Sequence, residues 1–221
     1  MEIKRIINIL IGFILVITLL SLSLSAGDEN NPEIKDPEND IIGPLIKHPI
    51  LYKILQSIGK IPVQSFDFMD IKSAWFYESD NEPNYLFASI KIKNLDYIPL
   101  RAIYAIHWTF NDKNYGASCH THSNGIFKWF AAGQIFGLLD NWAYKKGLIV
   151  DLTDCIIDDE NNLLTLKIPK NIIGNPNPGD ILTYTNAWTG LRFISEVLTY
   201  PLGGELATDQ TSYGNYYIIK Y

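Results

Sequence analysis

Between Arg101 and His122 the chain reads RAIYAIHWTF, then NDK, then NYGASCHTH, and this stretch restricts the fold more than any other. Tyr104, Ile106, Trp108 and Phe110 alternate with Ile103, Ala105, His107 and Thr109, the period of two that defines a strand. Asn111, Asp112 and Lys113 supply turn chemistry, because Asn and Asp tolerate left-handed backbone. A return strand carries Tyr115, Ala117 and Cys119 on one face and Gly116, Ser118, His120 and His122 on the other. Pairing Phe110 with Lys113 across the turn unites Tyr104, Ile106 and Trp108 with Tyr115, Ala117 and Cys119. His107 then shares the opposite face with His120 and His122. One face is core, and the other holds every histidine of the hairpin.

The remaining sequence follows the same grammar. Strands are predicted over 70–77, 85–93, 126–131, 148–157, 163–168, 180–193 and 216–220, separated by polar turns such as Asp158-Asp159-Glu160-Asn161-Asn162. Residues 138–146 read as a short helical turn, and 194–210 as irregular chain. Alternating strands need a second sheet to cover their apolar face, so the expected class is all-β: a two-sheet antiparallel β-sandwich, jelly-roll-like, over 63–221. Ile50, Leu51, Ile54, Leu55 and Ile58 recur at helical spacing between Pro49 and Gly59, which predicts a short amphipathic helix over 49–59. That helix has two places to go: the edge of the sandwich or a membrane surface.

The N-terminus sets the compartment. Lys4 and Arg5 precede an apolar run from Ile6 to Leu24, and Ser25-Ala26-Gly27 offers small residues for cleavage. Residues 1–26 therefore read as a signal peptide or a membrane anchor, since the run matches the roughly 20 residues that span a bilayer. Either way the rest of the chain is exported. Residues 27–48 begin GDENNPEIKDPEND and read as an acidic spacer with nothing to bury. A formal charge of −6, with no basic run beyond Lys145-Lys146, argues against nucleic acid as a partner. In an oxidising space Cys119 and Cys155 read as a disulfide, with two buried thiols as the alternative.

Several motifs in order, DIKSAWFYESDNEPNYLFASIKIKNL, YAIHWTFNDKNYGA, DDENNLLTLKIPKNIIGNPNPGD, AWTG and GNYYI, form a pattern. It resembles the jelly-roll domains of prokaryotic surface proteins, similar to family 9 carbohydrate-binding modules and DOMON-type domains. The resemblance covers about Val63 to Tyr221 and implies a sandwich displayed at the cell surface.

Candidate chemistry falls into three groups. His107, His120 and His122, on one strand face, could hold zinc or copper. Trp142 and Trp188, beside Asn141 and Asn186, could stack on and hydrogen-bond a sugar. The loops Glu78-Ser79-Asp80-Asn81-Glu82 and Asp158-Asp159-Glu160-Asn161 are oxygen-rich enough for calcium. No nucleophile elbow, zinc-protease helix or phosphate loop occurs, so a non-enzyme is favoured and no cofactor is required. The expected function is an exported or membrane-tethered module that binds a carbohydrate or a surface protein. An extracellular metal-binding protein using the histidines is the alternative, and a hydrolase with unrecognised carboxylates the third reading.

Overall fold

The computed structural model describes residues 27–42, 50, 53, 57, 66–98, 102–122, 125–133, 147–151, 154–192 and 205–221. The signal or anchor segment, residues 43–48 and nearly all of the 49–59 helix lie outside them, as do Asn141, Trp142 and the helical turn expected around them. In chain order the strands are β1 (Ile34–Lys35), β2 (Ile71–Tyr77), β3 (Tyr85–Ile92), β4 (Ala102–Phe110), β5 (Lys113–His122) and β6 (Gly125–Gly133). They continue with β7 (Gly147–Asp151), β8 (Asp154–Asp158), β9 (Leu163–Pro169), β10 (Ile181–Arg192), β11 (Glu205–Gln210) and β12 (Tyr217–Ile218).

These strands form two antiparallel sheets, as a β-sandwich requires. The first runs β1-β2-β3-β9-β8; the second runs β11-β10-β4-β5-β6-β7, with β12 added on β10. The hairpin adopts the register read from the sequence: Phe110 pairs with Lys113, Trp108 with Tyr115 and Tyr104 with Cys119. Asn111 and Asp112 both take positive φ, +48° and +57°, the backbone of a two-residue turn that matches strand twist. The core lies between the sheets. Phe76, Leu86, Ile90 and Leu166 enter it from the first sheet, and Tyr104, Ile106, Trp108 and Ala187 from the second. Each fully buried aliphatic side chain contributes roughly 1.5–3 kcal/mol of transfer free energy.

Four expectations need correction. The 27–42 part of the expected spacer is structured: β1 pairs with β2, placing Ile34 opposite Ala74, and Ile34 is fully buried. Further along, Ile42 bridges to Thr208 of β11, so this segment is a strap that joins the edges of both sheets. The strand expected over 148–157 divides into β7 and β8, which belong to different sheets. Residues within the expected irregular stretch 194–210 form β11.

The fourth correction is the disulfide. Cys119 lies on β5 opposite Tyr104, and Cys155 on β8 opposite Leu166, so the two belong to facing sheets. Packed sheets stand roughly 10 Å apart, whereas a disulfide needs Cα atoms within roughly 7 Å. Both cysteines are buried thiols, and no bridge joins them. Both lie near the Tyr104 hydroxyl, which burial, and then these two thiols, hold well above the ordinary phenol range.

Candidate functional site

The outer face of the second sheet carries the residues singled out in the hairpin. His107 pairs across the ladder with Gly116, and His120 with Ile103, so the two do share a face. They are four residues apart along β4, about 13 Å at strand spacing, which is too far for one ion. His122, placed by its backbone, lies two residues further still. His107 and His120 therefore do not converge on one ion. His107 instead faces Asn186, with Nδ1 and Oδ1 3.0 Å apart, and burial lowers its pKa to about 4. His120 bonds Ser118 through Nε2 at 3.0 Å.

Trp188 occupies this face too, but it is only 5% exposed and packs with Ile103 and Ala105. Its indole lies over Gly190, where an added Cβ would stand 2.5 Å from the ring. A stacking surface for a sugar must be open, and this ring is closed. Asn186, its expected companion, is also buried.

What the face presents instead is a kink in β10. Thr183 pairs with Thr109 and Asn186 with His107, so three steps on β10 oppose two on β4. One extra residue reverses which side faces inward: Leu182 is core before it, and Ala187 and Leu191 are core after it. At this bulge Tyr184 takes φ +50°, a conformation that a bulky residue adopts only when its surroundings enforce it. Tyr184 is 65% exposed and meets Tyr213, 69% exposed, with ring centroids 5.8 Å apart at 80°. The two rings form an open right-angled corner. Along the strands next to the bulge, Thr183 pairs with Thr109, Thr109 donates to Asn114 at 2.8 Å, and Asn186 pairs with His107. Sequence reasoning passed over both tyrosines. The signal was present in the alternation of DILTYTNAW, which fails at Tyr184, and in Tyr213 within the loop TSYGN.

A second assembly lies where the strap crosses between sheets. One oxygen from each of Asp36, Asp40 and Asp209 lies within 4.8 Å of the others. Asp70, at the start of β2, is beside them: it accepts the Asn39 N–H at 3.0 and 3.1 Å and pairs with Lys93 at 3.3 Å. Asp209 Oδ2 accepts the Ile71 N–H at 2.7 Å, which ties β11 to the first sheet. Burial, followed by the charges of neighbouring aspartates, raises Asp36 to about 7, and burial likewise raises Asp209 to about 7. Among the described residues this is the group whose donors could hold a metal ion.

The two acidic loops named from sequence are otherwise engaged. The Glu78 side chain is fully buried, pairs with Lys170, and accepts the Tyr217 hydroxyl at 3.0 Å and the Lys220 N–H at 2.6 Å. Glu82 pairs with Lys167. Asp158 accepts the Asn161 N–H at 3.0 Å, a local turn in which those bonds lower its pKa. No family model, curated protein or solved structure matches the chain.

Proposed function

We propose that this chain is an exported or membrane-tethered extracellular module that binds carbohydrate, and that the Tyr184–Tyr213 corner is its contact surface. The observation that carries the reading is Tyr184 itself, held exposed at φ +50° on a β-bulge and set edge-on against a second exposed ring. Strained backbone of this kind persists where it re-aims a side chain towards a task. A pyranose presents an apolar face rimmed by hydroxyls, which suits two exposed phenol rings that offer apolar faces and hydrogen-bonding tips. The resemblance of 63–221 to jelly-roll domains of prokaryotic surface proteins supports the extracellular setting, as does the apolar N-terminal run. A hydrolase would need a carboxylate pair facing substrate; Asp70 and Asp209 are each 1% exposed and are committed to backbone N–H groups.

The test is a glycan array probed with the full chain, followed by calorimetry on any glycan retained. Tyr184→Ala and Tyr213→Ala should each weaken binding by roughly tenfold, the worth of one aromatic contact, with thermal stability little changed. Failure to retain any glycan, or retention that both variants leave intact, would refute the reading and favour a surface protein as ligand.

A further inference from the structure

The loop that carries Tyr213, residues 211–216, is held from two sides. On one side is β10. The Thr211 N–H donates to the Ala187 carbonyl at 3.1 Å, and the Ala187 N–H to the Thr211 hydroxyl at 3.0 Å. The Gly214 N–H donates to the Thr185 carbonyl at 2.7 Å, and the Thr185 hydroxyl to the Asn215 carbonyl at 2.7 Å. On the other side is the strap, where the Asn215 N–H donates to the Glu33 carbonyl at 2.8 Å. A Cβ added at Gly214 would overlap that carbonyl oxygen and stand 2.7 Å from Ile34 Cγ1, so backbone lies directly on backbone. Thr185 follows Tyr184 in the chain, and Tyr213 sits between Thr211 and Gly214. The contacts that fix one ring of the corner therefore fix the other.

The strap is pressed down at this point by a residue whose side chain is at odds with its place. Glu33 is 2% exposed; Oε2 accepts the Phe76 N–H at 2.9 Å, and Oε1 is sealed with no hydrogen-bond partner. The charges that bear on it are Asp28 of the strap and Lys220 near the end of the chain. Tyr217, close by, gives its hydroxyl to Glu78, which pairs with Lys170. A neutral carboxyl fits this site at small cost. An ionised one is a buried anion with a bare oxygen, which has surrendered water and gained nothing. Burial accordingly raises Glu33 to about 7, against the Phe76 bond and the Lys220 charge. Lifting the strap returns that oxygen to water.

We propose that Glu33 is a proton-operated latch on the tyrosine corner: its neutral carboxyl holds the strap against the 211–216 loop, and ionisation loosens the strap and Tyr213 with it. The inference rests on the reading of that corner as the binding surface and adds how the surface is regulated. In the open state the carboxyl is hydrated and its pKa returns to about 4.3. The closed state therefore binds the proton more tightly, so acid closes the latch and rising pH loosens it. Opening becomes easier by about tenfold per pH unit between about pH 4 and about pH 7, and levels off above that. A ligand that needs both rings is held in acid and released as pH rises. Linkage also runs backwards: a ligand seated on the corner tightens the hold of Glu33 on its proton.

The experiment follows hydrogen exchange of the full chain at the Gly214 and Asn215 amides, which flank the Tyr213 side of the clamp. Their protection, corrected for the intrinsic exchange rate, should fall by about tenfold per pH unit between about pH 5 and about pH 7. Hairpin amides should stay better protected throughout, which marks the opening as local; equal protection would mean global unfolding and overturn the latch. Glu33→Gln, neutral at every pH, should flatten the dependence. The Glu33 carboxyl carbon of the wild type, read by nuclear magnetic resonance, should titrate near 7 and decides the matter even if the variant does not fold. A midpoint near about 4, flat protection in the wild type, or an unchanged slope in Glu33→Gln would each overturn the inference. Any glycan retained on the array should bind the wild type more weakly at about pH 7.5 than at about pH 5.5, and Glu33→Gln equally at both. An empty array refutes the carbohydrate reading alone, because the amide and carboxyl measurements need no ligand.

Discussion

Glu33 shows how one side chain can set a pH dependence. It is 2% exposed; Oε2 accepts the Phe76 N–H at 2.9 Å, while Oε1 has no hydrogen-bond partner. Burial, only partly offset by the Phe76 bond and the Lys220 charge, pushes its pKa up to about 7. The folded state thus retains a proton that an unfolded glutamate, with a pKa near 4.3, releases. Its contribution is fully present below about pH 4 and is lost as pH rises through about 7, amounting to about 4 kcal/mol at most. Glu33→Gln should therefore lose less stability than the wild type between about pH 4 and about pH 7 in urea unfolding. Identical slopes would remove Glu33 from the account. Gly190 offers a second case at this scale. The Trp188 indole occupies the place of its missing side chain, so Gly190→Ala should destabilise by about 1–3 kcal/mol, measured by the same unfolding curves.

Among the elements, the strap departs furthest from expectation. Its sequence is acidic and broken by prolines, and a single isoleucine between Glu33 and Lys35 gives no period to read. What orders it is tertiary: Ile34 fills the core beside β2, Asn215 donates to the Glu33 carbonyl, and Ile42 pairs with Thr208. Partners that far along the chain leave no local trace. Ile34→Ala should cost about 2–5 kcal/mol, as for any fully buried aliphatic truncation. A change of under about 0.5 kcal/mol would mean that the strap is dispensable. β11 escaped notice for a related reason, since ELATDQ lacks a clean alternation and becomes a strand only as the neighbour of β10. The hairpin was legible because both its period and its turn are local. Its register followed from Asn111 and Asp112, and with it the shared face of His107 and His120. How far apart those histidines stand along the face required counting residues in the ladder, and the tyrosine corner required the bulge.

For the whole molecule, the division into two sheets decides the state of the cysteines. Cys119 and Cys155 enter the core from opposite sheets as separate buried thiols. Denatured, unreduced protein should therefore titrate two thiols, and the native protein should react with a thiol reagent only as fast as it unfolds. Zero thiols after denaturation would mean that a bridge joins the two sheets. The sandwich itself was legible from alternation. The sheet to which each strand belongs was not, because alternation records which face is apolar and is silent on which neighbour supplies the hydrogen bonds.

The strap's partners also impose a chronology. Glu33 waits for Asn215 and Ile42 for Thr208, each more than three-quarters of the chain away. In a polypeptide made from its N-terminus, a segment that emerges early is thus among the last able to settle. The β4–β5 hairpin can close within microseconds of its release, roughly 1–10 μs, whereas the strap must idle until the final twenty or so residues have followed. During that interval an acidic, proline-broken stretch is a safe thing to leave dangling: it has little tendency to pair with a stray strand edge. The composition that hid the strap from pattern reading suits a segment that must arrive first and dock late. Pulse-labelled refolding should find amides 27–42 protected after those of the hairpin, and simultaneous protection would show that the strap does not wait.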